Sequence, residues 1–155
     1  MIQRIQTLFL SIALALLVLM LVFPLAQFVD VNHISYKLVY NGLFQITEKS
    51  VVLVQFSYII SVFIVAAILL LLSAIFLFKK RVLQIRICWF SILVLAVIAT
   101  TEYILYNSIV GKGQFNSHAL SLTAIMPVLS VILTYLAIRA IKKDDDLVKS
   151  VDRLR

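Results

Sequence analysis

The chain has 155 residues, of which 63% are hydrophobic and 14% are charged, and its formal net charge is +7. Because soluble domains are usually roughly 45–50% apolar, this composition excludes an ordinary water-soluble domain and indicates a membrane protein. The excess of cations does not indicate nucleic-acid binding, because the cations flank apolar runs and form no separate basic domain. The single cysteine, Cys88, excludes an intramolecular disulfide and a cysteine-based metal site.

The first apolar run covers residues 7–23 and follows a short start that carries one cation, Arg4. This run is longer than the ~7–15 residues of the apolar centre of a secretory signal, and no small-x-small cleavage site follows it. We therefore predict a retained transmembrane helix over about residues 7–26. We expect it to end near Pro24, because proline cannot continue a helix without a kink.

Residues 27–50 are the longest region outside the predicted spans. Asn41 and Gly42 stand between strand-forming residues and predict a two-residue hairpin turn, since a type I′ turn needs positive φ at both central positions. This turn would pair Tyr40 with Leu43. We expect a small β-hairpin here, on the extracytoplasmic side.

Three further apolar runs predict spans over about residues 51–78, 87–106 and 119–141. A second outer loop covers residues 107–118, and a charged tail covers residues 142–155. The fold class predicted from these runs is an all-α membrane protein, a bundle of four transmembrane helices in one domain. The basic elbow between the second and third spans, residues 79–86, holds four cations that cannot lie in hydrocarbon. These elbow cations are Lys79, Lys80, Arg81 and Arg86.

The distribution of lysine and arginine predicts the orientation. With four spans, both termini and the elbow share one side, which carries 11 of the cations, and the other side carries 3. The positive-inside rule therefore places both termini in the cytoplasm. The three outer cations are Lys37, Lys49 and Lys112.

Small residues four positions apart predict where the helices approach closely, because such pairs let two backbones come near each other in lipid. Each span offers one pair. The pairs are Ser11 with Ala15, Ser57 with Ser61, Ala96 with Thr100, and Ser130 with Thr134.

Glu102 is the one acid predicted inside a span. An intramembrane carboxyl group is a candidate functional site, such as a proton carrier or a cation site. The alternative is that Glu102 lies one turn from the outer interface, where it reaches water or accepts hydrogen bonds from Thr100, Thr101 or neighbouring tyrosines. Pro127 interrupts the fourth span and predicts a kink. In a transporter such a kink marks a hinge or a binding site, and otherwise neighbouring helices accommodate it.

A metal site on the outer face is a further hypothesis. Histidine and carboxylate side chains there have the chemical types of zinc or copper ligands. They lack an H-E-x-x-H spacing and come from different segments, so ordinary loop polarity is the alternative. No cofactor is predicted. The residues concerned are Asp30, His33, Glu48, Glu102 and His118.

The tail predicts a cytosolic surface. Its three aspartates, residues 144–146, are expected to open a short helix, with Leu147, Val151 and Leu154 on one face. Together with the elbow cations, this face is predicted to contact anionic lipid headgroups or a protein partner. Because tail and elbow share one side, we also expect the aspartates to meet the elbow cations.

The two ends of the chain resemble a known family. The opening MIQRIQTLFL and the closing AIRAIKKDDDLVKSVDRLR are similar to a four-helix membrane family of Bacteroidota, domain of unknown function 4293. The resemblance covers nearly the full length and implies four helices and a bacterial inner-membrane location. It implies no activity, cofactor or catalytic residue.

No nucleophilic motif or phosphate loop is present in the sequence, and we predict that the chain is not an enzyme. The leading hypothesis is an accessory or scaffold subunit of the inner membrane, with a basic cytosolic face that contacts lipid, a protein partner or another copy. The second is a small oligomeric transporter or channel subunit that uses Glu102 and the Pro127 kink. The third is an extracytoplasmic metal-binding module.

Overall fold

The computed structural model describes residues 3–30, 34–47, 50–78, 80–111 and 115–152. Within these residues, four helices are long and apolar enough to cross a membrane. The helices are α1 (Gln3–Val22), α2 (Tyr58–Phe76), α3 (Arg81–Val110) and α4 (Met126–Asp152).

The predicted all-α fold class is wrong, because a five-stranded antiparallel sheet joins one end of the bundle. Four strands follow α1, and the fifth lies between α3 and α4, so both predicted outer loops build one sheet. The strand order is β4-β3-β2-β1-β5. The strands are β1 (Ala26–Asp30), β2 (Ser35–Val39), β3 (Gly42–Thr47), β4 (Ser50–Phe56) and β5 (Phe115–Leu120).

The start of the predicted second span is a strand. Residues 51–54 read Val-Val-Leu-Val, and β-branched side chains fit a pleated strand better than a helix. Helix α2 begins only at Tyr58 and has 19 residues. At 1.5 Å per residue it is about 28 Å long, which is close to the thickness of the hydrocarbon core.

The predicted hairpin is present as β2 and β3, but its register differs. Val39 pairs with Gly42 and Leu38 pairs with Leu43, so Tyr40 and Asn41 form the turn. The predicted pairing is therefore two residues out of register. A slip of two keeps every side chain on its predicted face.

The helices pack in a ring in which each contacts two neighbours, in the order α1-α2-α3-α4 and back to α1. Their buried positions recur at alternating spacings of three and four, which is the pattern of left-handed helix bundles. We call these positions the seam. On α3 they include Gln84, Cys88, Ser91, Leu95, Ile98 and Glu102, and on α4 Ser130, Thr134, Ala137 and Ile141.

The small-residue prediction holds for α4 and is wrong for α1 and α3. Ser130 and Thr134 are fully buried, and the Ser130 hydroxyl lies 3.3 Å from the carbonyl oxygen of Ala13 on α1. Ala96 and Thr100 on α3 are exposed, as are both members of the α1 pair. Helix contact therefore follows the seam spacing and not the small residues alone.

Pro127 is the second residue of α4 and follows a 3-10 turn, Leu122–Ile125. Its missing N–H costs nothing at this place, because the first N–H groups of a helix have no intrahelical acceptor. The carbonyl of Thr123 accepts from the N–H of Met126 instead. The predicted mid-span kink is therefore absent. Helix α4 also continues unbroken past the three aspartates, which do not open a separate helix.

Candidate functional site

A cavity of about 180 Å³ lies where the sheet meets the bundle. Its walls come from the underside of the sheet, from α3, and from the chain at the start of α4. Nearly all of its lining is aliphatic or aromatic, and Glu102 is the one carboxyl group. The lining residues are Leu25, Ala26, Leu38, Ala99, Glu102, Tyr103, Tyr106, Leu120, Ala124 and Val128.

Backbone hydrogen bonds fix the sheet side of this cavity. The N–H of Leu25 donates to the carbonyl of Leu38 at 2.7 Å, and the N–H of Ser121 donates to the carbonyl of Leu25 at 3.0 Å. The rings of Phe28 and Tyr106 pack with their centroids 5.7 Å apart. The two hydrogen bonds connect the start of β1 to β2 and to the turn before α4, and the ring contact packs β1 against α3. The walls of the cavity are therefore fixed relative to one another.

Glu102 occupies a seam position and is only 6% exposed. Its Oε1 atom is buried and has no hydrogen-bond partner among the residues that the structure describes. The two threonines considered as possible donors bond to their own helix: Thr101 donates to the carbonyl of Val97 at 2.7 Å, and Thr100 to that of Ala96 at 3.0 Å. A buried carboxyl oxygen without a donor is costly. Oε1 of Glu102 therefore lacks the hydrogen bond that a buried carboxyl group needs.

The other end of the bundle, called here the basic end, is joined by side chains of three helices. Arg81 on α3 contacts two aspartates of α4: Nη2 lies 3.1 Å from Oδ2 of Asp144, and Nη1 lies 3.8 Å from Oδ1 of Asp145. The predicted meeting of the tail aspartates with the elbow is thus confirmed for Arg81. Gln6 donates from α1 to the carbonyl of Ala140 at 3.2 Å.

The contacts of Arg81 with Asp144 and Asp145 are called here the Arg81 clamp. Five further cations of the basic end have described side chains, and all five are exposed. Leu147 is also exposed among them. Lys79 and Leu154 lie outside the described residues, as does the side chain of Val151, so the predicted amphipathic face is described only at Leu147. The exposed cations are Lys80, Arg86, Arg139, Lys142 and Lys143.

The outer-face metal set is only partly described. His33 and Glu48 lie outside the described residues, and so does the side chain of His118, although its backbone is part of β5. Among the groups that are described, no three His, Cys, Asp or Glu side chains converge. Glu102 lines the apolar cavity.

The sequence predicted Glu102 as a candidate but not the leucines that line its cavity, which lie just before β1, on β2 and on β5: Leu25, Leu38 and Leu120. The seam spacing on α3 is the signal that predicts the inward direction of Glu102, because Leu95, Ile98 and Glu102 follow at intervals of three and four.

Comparison with known proteins identifies the family and no activity. No curated protein matches the chain. The family defined as a domain of unknown function, DUF4293, matches residues 2–154, which confirms the resemblance seen at the two ends of the sequence, and the chain therefore belongs to this family.

Proposed function

We propose that this chain is a non-enzymatic scaffold subunit of the bacterial cytoplasmic membrane, which assembles with a second copy of itself through the outer edge of β4. Both termini face the cytoplasm, and the sheet lies on the opposite side. The observation that carries the proposal is the exposed, uncharged edge of β4.

Insertion in a membrane is supported by the outward faces of the helices. Large apolar side chains such as Val62, Leu69 and Leu93 are exposed there. Contiguous apolar surface of this kind is not tolerated on a soluble monomer. The 11 cations on one side and the 3 on the other support a cytoplasmic basic end.

A non-enzymatic role is supported by the polar groups inside the bundle, which are engaged with the backbone. The side-chain amide of Gln84 donates to the carbonyl of Ala74 at 2.9 Å, and the hydroxyl of Thr134 donates to that of Ser130 at 2.7 Å. These bonds join or stabilise helices. Glu102 is the one carboxyl group among the residues that line its cavity.

Strand β4 has the properties of an interface. It pairs with β3 on one side only, so its other edge presents unpaired backbone groups. Val51, Val52, Leu53 and Val54 are exposed by 66%, 51%, 37% and 51%. Natural edge strands are usually protected by Lys, Pro or a covering segment, and β4 contains neither Lys nor Pro. We therefore expect another strand to cover this edge of β4.

The composition of β4 favours a second copy as that strand. Lipid tails cannot hydrogen-bond to unpaired backbone groups. When two β4 strands pair antiparallel about a two-fold axis, Val51 faces Val54 and Val52 faces Leu53, so apolar residues meet on both faces. No like charges oppose each other, since the strand carries none.

The basic end is proposed to contact anionic headgroups. Lys80 and Arg86 line one groove with Arg81, and juxtamembrane cations are attracted to an anionic membrane surface by roughly 1 kcal/mol each. Leu147, exposed beside Lys143, can insert its side chain at the same surface.

Photocrosslinking in native membranes tests the assembly. A photoreactive residue at Val52 should give a product of twice the chain's mass, and one at Ser117 on β5 should give none. With the photoreactive residue at Val54 instead, Val52→Lys should remove the product because it sets a lysine against the apolar Leu53 of the second copy, whereas Gln27→Lys on the exposed face of β1 should retain it. Products with a different protein, or monomer alone, would overturn assembly with a second copy.

A second candidate function, transport by an oligomer, is favoured by the unpartnered carboxyl of Glu102 alone, since Pro127 forms no mid-span kink. Flux of protons or monovalent cations in proteoliposomes decides it. Equal flux with wild-type protein and with Glu102→Gln excludes Glu102 from such a path.

A further inference from the structure

We infer that the cavity beneath the sheet is a binding site for a small lipophilic amine, whose ammonium group binds Glu102 and whose apolar body fills the space between α3, α4 and the sheet. The site is separate from the β4 edge and does not depend on the proposed assembly.

The carboxyl group defines the polar end of the ligand. Oε1 of Glu102 is buried and accepts no hydrogen bond from the described residues, and the side chain lines the cavity. An ammonium group supplies up to three N–H donors and the opposite charge. Bonds of this charge-assisted kind are roughly twice as strong as neutral ones.

The walls define the apolar end. Leu25, Leu38 and Val128 offer only aliphatic surface, and Tyr106 adds the edge of a ring. A bare divalent cation does not fit, because such ions take about six or more oxygen ligands and the lining supplies one carboxylate and two phenolic hydroxyls. An organic cation satisfies both the carboxyl group and the walls.

The volume sets the size of the ligand. The cavity holds about 180 Å³, and an apolar cavity of about 150 Å³ is known to accept benzene. A ring-sized body therefore fills it, whereas a typical drug-sized pocket is roughly 300–1,000 Å³.

The entrance faces the side of the bundle. Tyr103, Leu120 and Val128 line the cavity and are 67%, 57% and 48% exposed. Glu102 lies 21 residues beyond Arg81 on α3, which is about 32 Å along the helix axis. In a bilayer this is the outer edge of the hydrocarbon core, so an amphiphilic amine would enter from the outer leaflet.

Photolabelling of the full chain in proteoliposomes tests this site. The probe is a cyclohexylamine that carries a diazirine, and the matched neutral probe has a methyl ether in place of the amine. Peptide mapping by mass spectrometry locates the adducts. The amine probe should label peptides that contain the cavity residues of α3 and α4.

Two variants and one control determine the outcome. Glu102→Gln keeps the side-chain shape and should lower labelling by the amine about tenfold, the loss expected when a bond to a charged group is removed. Ala99→Leu fills the cavity and should abolish labelling. Ala96→Leu makes the same change at an exposed position of α3 and should have no effect.

The neutral probe should label weakly and equally in wild type and Glu102→Gln. Equal labelling by the amine in wild type and Glu102→Gln would overturn the assignment of an amine. No adduct in the cavity peptides, or the same loss with Ala96→Leu as with Ala99→Leu, would overturn the site itself. Gel filtration of each variant confirms that it is folded.

Discussion

Arg81 clamps the start of α3 to α4 through both the side chain and the backbone of Asp144. Nη2 of Arg81 lies 3.1 Å from Oδ2 of Asp144, and Nη1 donates to the Asp144 carbonyl oxygen at 3.2 Å. Only 22% of the Arg81 side chain and 12% of the Asp144 side chain are exposed. The pair is therefore weakly screened by water, and it holds the C-terminal extension of α4 against the elbow.

Arg81→Met should lower the free energy of unfolding by about 2 kcal/mol, because it leaves Asp144 mostly buried without its partner. Thermal unfolding in detergent, followed by circular dichroism, measures the change. Arg86→Met is the control at an exposed elbow position and should change stability by less than about 0.5 kcal/mol. In the double variant with Asp144→Asn, the two losses should not add. Additive losses would show that the two side chains do not interact.

The orientation predicted from the cations can be measured with single cysteines. Ser35→Cys, on an exposed position of β2, should react with a membrane-impermeant maleimide in cells whose outer membrane has been permeabilised. Lys143→Cys, at the basic end, should react only after the inner membrane is also opened. Cys88 is fully buried and gives the background. The reverse pattern of labelling would place the sheet in the cytoplasm.

The pairing of β1 with β5 can be tested by disulfide formation. Gln27 and Ala119 are exposed and lie opposite each other across the two strands, so cysteines at these positions should be about 4.5–5.5 Å apart at Cβ. We expect Gln27→Cys with Ala119→Cys to crosslink on mild oxidation. Gln27→Cys with Ser117→Cys is displaced by two residues and should crosslink much less. Equal yields would contradict the register.

The sequence was sufficient to predict the four helices and insufficient to predict the sheet, for physical reasons. Hydrophobic run length identifies a span, but β4 is continuous in hydropathy with α2, and only its β-branched residues distinguish the strand. Strand β5 reads as a polar loop. It becomes a strand because β1, from a segment about 90 residues earlier in the chain, offers it a hydrogen-bonding edge. No local pattern contains that pairing.

The site was predicted only in part for the same reason. Glu102 is recognisable as an acid in an apolar helix, but its burial depends on the sheet that covers it. Leu38 and Leu120 have no local feature that assigns them to the cavity. The contact of Arg81 with Asp144 was predictable because topology alone brings the elbow and the tail to one side.

The seam predicts that a leucine lowers the stability of the bundle at a buried position and not at an exposed one. Ser130→Leu should destabilise the bundle by about 1–3 kcal/mol, because Ser130 is fully buried against α1 and has no room for a larger residue. Ala96→Leu, on the exposed face of α3, should be nearly neutral. Unfolding temperatures in the same detergent compare the two. Equal destabilisation would mean that Ala96 also lies at a helix contact.

The stability of Glu102 variants should show the cost of its unpartnered carboxyl group. We expect Glu102→Met to raise the free energy of unfolding by about 1 kcal/mol or more, because it removes a buried carboxyl group whose Oε1 atom has no donor among the described residues. Gln84→Met, on the same seam, should lower it by about 1 kcal/mol, because its amide has a partner, the carbonyl of Ala74. A group that reduces stability where a satisfied one would increase it is typical of binding sites. Thermal unfolding with the cyclohexylamine probe then tests whether the destabilising carboxyl group binds a ligand. The amine should raise the unfolding temperature of wild type and leave that of Glu102→Gln unchanged, because only a ligand that binds the folded state shifts the transition.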